Sequence, residues 1–274
     1  MKATLLFSLA AFAVGSAAFS YQDGFFDQDL TADATAAIAE AITPLVSDPL
    51  VAGTPWTRPE GPLRVALQAG HWKAAEAPDE QAGLRGNGTR GGGKAEWEVN
   101  FEIAEKTAAI MREQGFVVDI LPTTIPPDYW SDVFVAIHAD GHPSTSVSGY
   151  RVAAPRRDAT GRAAEFARIL EERYGEATGI RLYPELTRRM QGYYAFNYRR
   201  YQHALHPMTV GVIIETGFLT NPGDRRIIVD AQERSAKGIA EAVTLFLKTM
   251  PLEPRVIPPP YPERQARRPN RNGT

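Results

Sequence analysis

The stretch Val210-Gly-Val-Ile-Ile-Glu215-Thr-Gly-Phe-Leu-Thr-Asn221 decides how the chain is read. Its first five residues are apolar and mostly β-branched, the mark of a strand buried on both faces of a sheet. The run stops on a carboxylate, then passes through Gly217 towards an Asn221-Pro222 turn. A glutamate at the end of a buried strand is costly to desolvate unless backbone donors, an arginine or a chemical role keeps it there. Two more apolar runs end in a similar way: Leu63 to Ala69 leads through Gly70 into His71, and Asp132 to Ile137 leads into His138.

Working outward, helical patterns alternate with these runs. Ala95 to Gln114 carries Trp97, Phe101, Ala104, Ala108 and Met111 at spacings of three and four, widened by Val99, Ile103 and Ile110, with Gly115 as its C-terminal stop. Phe116 to Leu121 is a second strand, Ser148 to Ala154 a further short one, and Ala159 to Tyr174 a helix. Ala231 to Thr249 is the last helix, with Ile239, Val243, Phe246 and Leu247 facing inward. Strands alternating with helices predict an α/β fold: a single domain with a mostly parallel central sheet flanked by helices on both faces. Sites in such sheets lie beyond the carboxyl ends of the strands, so His71, His138 and Glu215 are expected at one edge.

The 274 residues, 43% of them hydrophobic, suit one domain with extra segments at its ends. Met1 to about Ser20 reads as a secretory signal: Lys2, an apolar core over Ala3 to Val14, and a small-residue cleavage site at Ser16-Ala17-Ala18. Residues 21–61 hold an Ala-rich helix candidate, Thr31 to Leu45, and a Pro- and Gly-rich linker from Ser47 to Gly61. The domain proper is placed at 62–250, and 251–274 reads as a Pro- and Arg-rich disordered tail. The expected product is an exported protein, periplasmic or extracellular, with no stable membrane anchor and monomeric.

Composition removes several classes of chemistry. A net charge of −2 lacks the basic excess of a nucleic-acid binder. The chain has no cysteine, hence no thiol nucleophile, disulfide or lipoprotein attachment point. A metal would be held by histidine and carboxylate. Two imidazoles at one sheet edge suit a divalent ion, zinc above all, which in catalytic sites takes three protein ligands. The helix from Ala95 offers Glu96 and Glu98 as a third donor, and Asn100, four residues on from Glu96, shares its helix face.

Ala69-Gly-His71, Glu96-Trp-Glu-Val-Asn100-Phe, Ala136-Ile-His138-Ala-Asp140 and Ile214-Glu215-Thr-Gly-Phe-Leu-Thr-Asn221 form an ordered set. Over about residues 63–249 it resembles the four motifs of the zinc-dependent N-acetylmuramoyl-L-alanine amidases, the amidase_3 catalytic domain. The resemblance implies one zinc ion held by His71, Glu96 and His138, Glu215 as general acid/base, and peptidoglycan or muropeptides as partner. The implied reaction is hydrolysis of the amide between N-acetylmuramic acid and L-alanine. The chain departs from the family in having Trp72-Lys73 where Gly-Gly commonly follows the first histidine, and in its long 72–94 loop. No segment between Asp140 and Arg157 matches the inhibitory helix that some members carry there. Two other functions fit the same fold: a non-catalytic peptidoglycan-binding or regulatory module, and a zinc exopeptidase acting on cell-wall peptides.

Other motifs carry less. Gly86 to Gly91 fits Gly-x-Gly-x-x-Gly and Gly88 to Lys94 part of a phosphate loop, but no strand directly precedes them and Ala95 stands where Ser or Thr would hold magnesium. The 72–94 segment is expected to border the active edge. His142 reads as a loop residue beside Gly141 and Pro143, and His203 and His206 as structural or surface residues. Arg199 and Arg200 are candidates for meeting the carboxylates of a peptide substrate, with plain solvation as the simpler reading.

Overall fold

Four apolar runs lie side by side and parallel: β1 (Arg64–Ala69), β2 (Val117–Leu121), β3 (Val133–Asp140) and β5 (Val210–Phe218); β4 (Arg151–Ala153) closes one edge antiparallel to β5. The strand order is β2-β1-β3-β5-β4, in a computed structural model that describes residues 55–249 and 255–256. The predicted signal, the Thr31–Leu45 helix and nearly all of the tail lie outside the described residues. β3 and β5 run past the expected stops at Ile137 and Ile214, because each supplies the other's backbone partners. His138 pairs with Glu215 in the ladder, and the register then shifts before Asp140 meets Phe218. On the other side of β5, Arg151 of β4 also pairs with Glu215.

Three long helices cover one face: α1 (Glu96–Glu113), α2 (Ala163–Thr178) and α4 (Gln232–Thr249). α4 packs against both α1 and α2, so the three form one layer over the sheet. Alternate strand residues supply the other half of the core, among them Val65, Leu67, Val135, Ile137, Val212 and Ile214, all fully buried. The opposite face is covered by short helical turns at Arg188–Gln191 and Tyr194–Phe196 and the irregular chain around them, with Phe196 packed edge-on against Phe134 of β3. The long helices lock the fold, and irregular chain is left to shape the face where polar side chains are wanted.

The apolar stripe of α1 is rotated from the expected one. Val99, Ile103, Ala104, Ala108 and Met111 are buried, while Trp97 is 42% exposed and Phe101 meets the Trp72 ring at 4.6 Å, tilted by 42°, rather than entering the core. The pattern admitted both registers, and burial of Glu96 and Asn100 on the inner side selects this one. Gly115 ends the helix at φ 88, as its position predicts. Asn221 begins no loose turn but caps α3 (Pro222–Ile228), accepting from the Gly223 and Asp224 amides at 2.8 and 3.0 Å.

The end of the predicted linker is docked. Arg58 makes a two-pronged ion pair with buried Asp132, which also accepts from the Arg64 amide at 2.7 Å. Pro55–Trp56 pairs antiparallel with Arg255–Val256, two residues assigned from composition to a disordered tail. Among the described residues no helix is long and apolar enough to cross a membrane.

Trp56 and Trp130 form an apolar cluster with His206, which is 1% exposed. The Met208 amide donates to His206 Nδ1 at 3.1 Å, and burial pushes this imidazole down from 6.5 to about 4. The unfolded chain therefore takes up this proton first as the pH falls. Stability from this residue is complete above about pH 6.5 and is lost progressively down to about pH 4, by roughly 3 kcal/mol in total. Denaturant titrations across that window are expected to show the decline, with a shallower slope in His206→Asn, which keeps an acceptor for Met208 and cannot be charged.

Candidate metal centre and cleft

His71 lies just beyond β1 in a left-handed conformation, φ 64, which turns its ring back over the sheet edge. His138 lies within β3, and Glu96 is the first residue of α1. Their donor atoms converge, with one ligand atom from each within 4.8 Å of the others. Glu96 Oε1 is 3.1 Å from His138 Nδ1 and 3.4 Å from His71 Nε2, and the two imidazole rings meet edge to face at 5.0 Å. Two imidazole nitrogens and a carboxylate oxygen, partly shielded from water, fit a divalent ion with nitrogen and oxygen preference.

The ambiguity between Glu96 and Glu98 resolves through hydrogen bonding. Glu98 turns back to accept from the Ala95 amide at 2.6 Å and so caps its own helix. Glu96 is 4% exposed, and its second oxygen accepts from the Thr89 amide at 2.9 Å. Oε1 also accepts from the Ala139 amide at 3.2 Å and, more weakly, from the Asn100 side chain at 3.4 Å. Asn100 donates at 3.0 Å to the Gly70 carbonyl, tying the helix to the turn that carries His71. Burial raises the Glu96 carboxyl, but the hydrogen bond and charge of His138, with His71 and the Thr89 amide, outweigh it and hold the group below its usual range. Burial lowers His71, with Glu96 opposing and His138 assisting, which favours the neutral imidazole a metal requires.

Glu215 sits beside His138 on the next strand, and laterally paired residues point to the same face. It lines a cleft of about 1060 Å³ together with His71, Glu96, His138 and Tyr193. Burial, then the carboxylates of Asp140 and Glu96, push the Glu215 carboxyl well above its usual range; Arg151 opposes them. Arg151 is itself buried, paired with Asp140, donating to the Glu185 carbonyl at 2.8 Å and lying over the Tyr183 ring. The 72–94 segment walls the cleft through Leu84, Asn87, Gly88 and Thr89.

Residues 65–245 match the family model described as Amidase_3: N-acetylmuramoyl-L-alanine amidase. The chain belongs to the amidase_3 family. Among solved structures it is similar to the N-acetylmuramoyl-L-alanine amidase AmiC2 of Nostoc punctiforme, at 19% identity and a TM-score of 0.51, over 69% of this chain and 99% of that one. It is also similar to the catalytic domain of the amidase CwlV from Bacillus (Paenibacillus) polymyxa var. colistinus, at 22% identity and TM-score 0.47 over 69% and 99% of the two chains. The amidase Ami1 from Mycobacterium smegmatis gives 20% identity and 0.48 over 69% and 98%. No curated protein matches the chain significantly by sequence. The AmiC2 match supports the fold; the family match makes the chain an N-acetylmuramoyl-L-alanine amidase by membership.

In this amidase the remaining histidines stay away from the cluster. His142 is exposed in the cleft wall, where its Nδ1 accepts from the Ser144 amide at 3.0 Å. His203 pairs with Glu80 at 2.7 Å and fastens the 72–94 segment to the chain near Gln202, while His206 packs on Trp56. Arg199 and Arg200 lie over the Tyr198 and Tyr201 rings, outside the cleft lining; the exposed arginine in that lining is Arg189. Sequence reasoning also missed Arg151, Tyr193 and Gln68. Arg151 had the same signal as Glu215, a charge inside an apolar strand, whereas Tyr193 lies in an aperiodic segment that gives no face to read.

Gly70 shows how tightly the amidase site is built. A Cβ added there would lie 2.4 Å from His138 Cε1 and Nε2, and the atoms in the way belong to a ring held on both sides. Gly70→Ala is expected to displace that ring and weaken metal binding at least about tenfold, the scale set by misplacing a ligand's support. Metal content after dialysis, beside an unchanged far-ultraviolet circular dichroism spectrum, checks this.

Proposed function

We propose that the chain is an exported, zinc-dependent enzyme that hydrolyses the amide between N-acetylmuramic acid and L-alanine in peptidoglycan. Glu215 is its general acid/base, and His71, Glu96 and His138 are its metal ligands. The observation that carries the proposal is the convergence of those three donor sets with Glu215 beside them in one cleft. A zinc ion in such a site supplies Lewis acidity towards the amide carbonyl and brings the pKa of water down to roughly 7. Glu215 takes the proton of the attacking water and returns it to the leaving nitrogen. Its environment suits both halves: burial and the neighbouring carboxylates strengthen its hold on a proton, and Arg151 keeps the ionised form within reach. Arg189 provides a cation in the cleft for a carboxylate of the stem peptide. Residues 1–20 serve as the export signal, and the catalytic domain acts as a monomer.

Mass analysis of digested sacculi tests the bond and the metal together: free stem peptides are expected, to be lost with a chelator and restored by zinc. Intact sacculi in the presence of zinc refute the amidase reading. Glu215→Gln is expected to keep its metal and lose about 10² to 10⁴-fold in kcat. The same substitution separates two roles of the carboxyl. Its raised pKa means that the unfolded chain releases this proton first, so ionisation opposes folding as the pH rises above the usual carboxylate range, by up to about 1.4 kcal/mol per pH unit. Metal-free Glu215→Gln should therefore melt higher than metal-free wild type at neutral pH, with the difference vanishing in acid. For Arg189→Ala, kinetics on muropeptides should show a raised KM with kcat little changed.

A further inference from the structure

Gln68, the penultimate residue of β1, points to the sheet face opposite the long helices and is fully buried. Its Nε2 donates to the Thr123 carbonyl at 2.7 Å and to the Tyr194 hydroxyl. A carbonyl oxygen only accepts, so the Thr123 contact fixes which end of the amide is nitrogen. The amide oxygen must then face the other way, where Tyr193 Oη lies at 2.8 Å. That oxygen also only accepts, and it takes up the single phenolic proton of Tyr193. Tyr193 Oη is 3.1 Å from His138 Nε2 and has only lone pairs left to offer it. His138 Nε2 therefore carries hydrogen, and Nδ1, 3.1 Å from Glu96 Oε1 and facing His71, is the ring nitrogen left to a metal: it donates to Glu96 while it holds hydrogen and offers its lone pair once a cation takes that hydrogen's place. The ring has little room to shift: the Gly70 backbone lies against it and the Tyr193 ring meets it edge-on at 5.4 Å.

We propose that Thr123, Gln68 and Tyr193 form a relay of positioning residues that holds His138 as its Nε2–H form and thereby selects Nδ1 as the metal-ligating atom. The inference rests on the metal reading of the His71–Glu96–His138 cluster. It adds a support that none of the four sequence motifs contains. The nitrogen that binds a metal is set by the hydrogen bond its partner nitrogen makes, and loss of such a bond commonly weakens metal affinity about 10 to 100-fold. Removing Gln68 should do more than remove a contact. With its acceptor gone, the Tyr193 proton is free to turn to His138 Nε2, which moves the ring hydrogen to Nδ1 and aims it at the metal position.

The test uses the zinc-loaded full chain with ¹⁵N-labelled histidine and reads two quantities. Long-range ¹H–¹⁵N correlation is expected to show hydrogen on His138 Nε2 and metal on Nδ1. Chelator competition is expected to show zinc bound about 10 to 100-fold more weakly by Tyr193→Phe and by Gln68→Leu. The double variant should be little weaker than either single one, because the second change removes nothing the first has left in place. Should Gln68→Leu fail to fold, the wild-type spectrum and the affinity of Tyr193→Phe still decide. Ligation of His138 through Nε2, unchanged zinc affinity in Tyr193→Phe, or simple additivity in the double variant overturns the relay and leaves the metal site standing. Failure of the wild type to bind zinc overturns the metal reading, and this inference with it.

Discussion

One buried carboxylate organises this domain. Glu96 is withdrawn from water at the carboxyl edge of the sheet, a position that a bare charge would not tolerate. It is tolerated because five groups turn towards it: the imidazoles of His71 and His138, the amides of Thr89 and Ala139, and the Asn100 side chain. They come from four parts of the chain, so satisfying Glu96 brings together the turn after β1, the long loop, the start of α1 and the end of β3. Loss of any one donor leaves the charge less compensated, and a buried ion that loses its partner is far more costly than an exposed one.

The second carboxylate is treated in the opposite way. Glu215 lies next to His138 in the ladder, yet burial, and after it the carboxylates of Asp140 and Glu96, raise its proton affinity and outweigh Arg151, which already pairs with Asp140. Two glutamates at one edge are thus driven apart, Glu96 held ionised and Glu215 inclined to keep a proton. Separation of this kind lets one carboxyl bind a cation while its neighbour moves protons. Asp224 keeps the backbone beyond Glu215 in place, accepting from the Phe218 and Gly149 amides at 2.8 and 3.0 Å. Gly217 packs closely there: a Cβ would stand 3.2 Å from the Asp224 side chain, which would have to give by a few tenths of an ångström.

The parallel strands, the helices and the positions of His71, Glu96, His138 and Glu215 were legible because each depends on a local pattern: an apolar run, a helical stripe, a polar residue ending a strand. Choosing Glu96 over Glu98 needed coordinates. Both occupy the first turn of one helix, and only the Ala95 amide, which takes Glu98 as a cap, separates them. The orientation of the α1 stripe was misread at Trp97 because two overlapping registers fit the same residues, and the buried polar pair Glu96 and Asn100 tips the helix to one of them. Tyr193 was illegible for a different reason: it is brought to His138 by a segment without regular structure, and no spacing in the sequence encodes that approach.

The unequal covering of the sheet follows from these demands. A long helix satisfies its own backbone and offers a continuous apolar stripe, so the face carrying α1, α2 and α4 can be sealed by hydrophobic packing alone. The other face must bury Gln68 inside a sheet and let Tyr193 and Tyr194 reach it with their hydroxyls. A regular helix laid there would carry its side chains past Gln68 at fixed intervals of about 5.4 Å per turn, with little freedom to set two adjacent phenols on one amide. Short turns at Arg188–Gln191 and Tyr194–Phe196 bring consecutive residues to the same polar group, at the cost of a less continuous apolar contact. The irregularity of residues 179–209 is thus what allows a buried hydrogen-bonded chain to reach His138 from the side opposite Glu96.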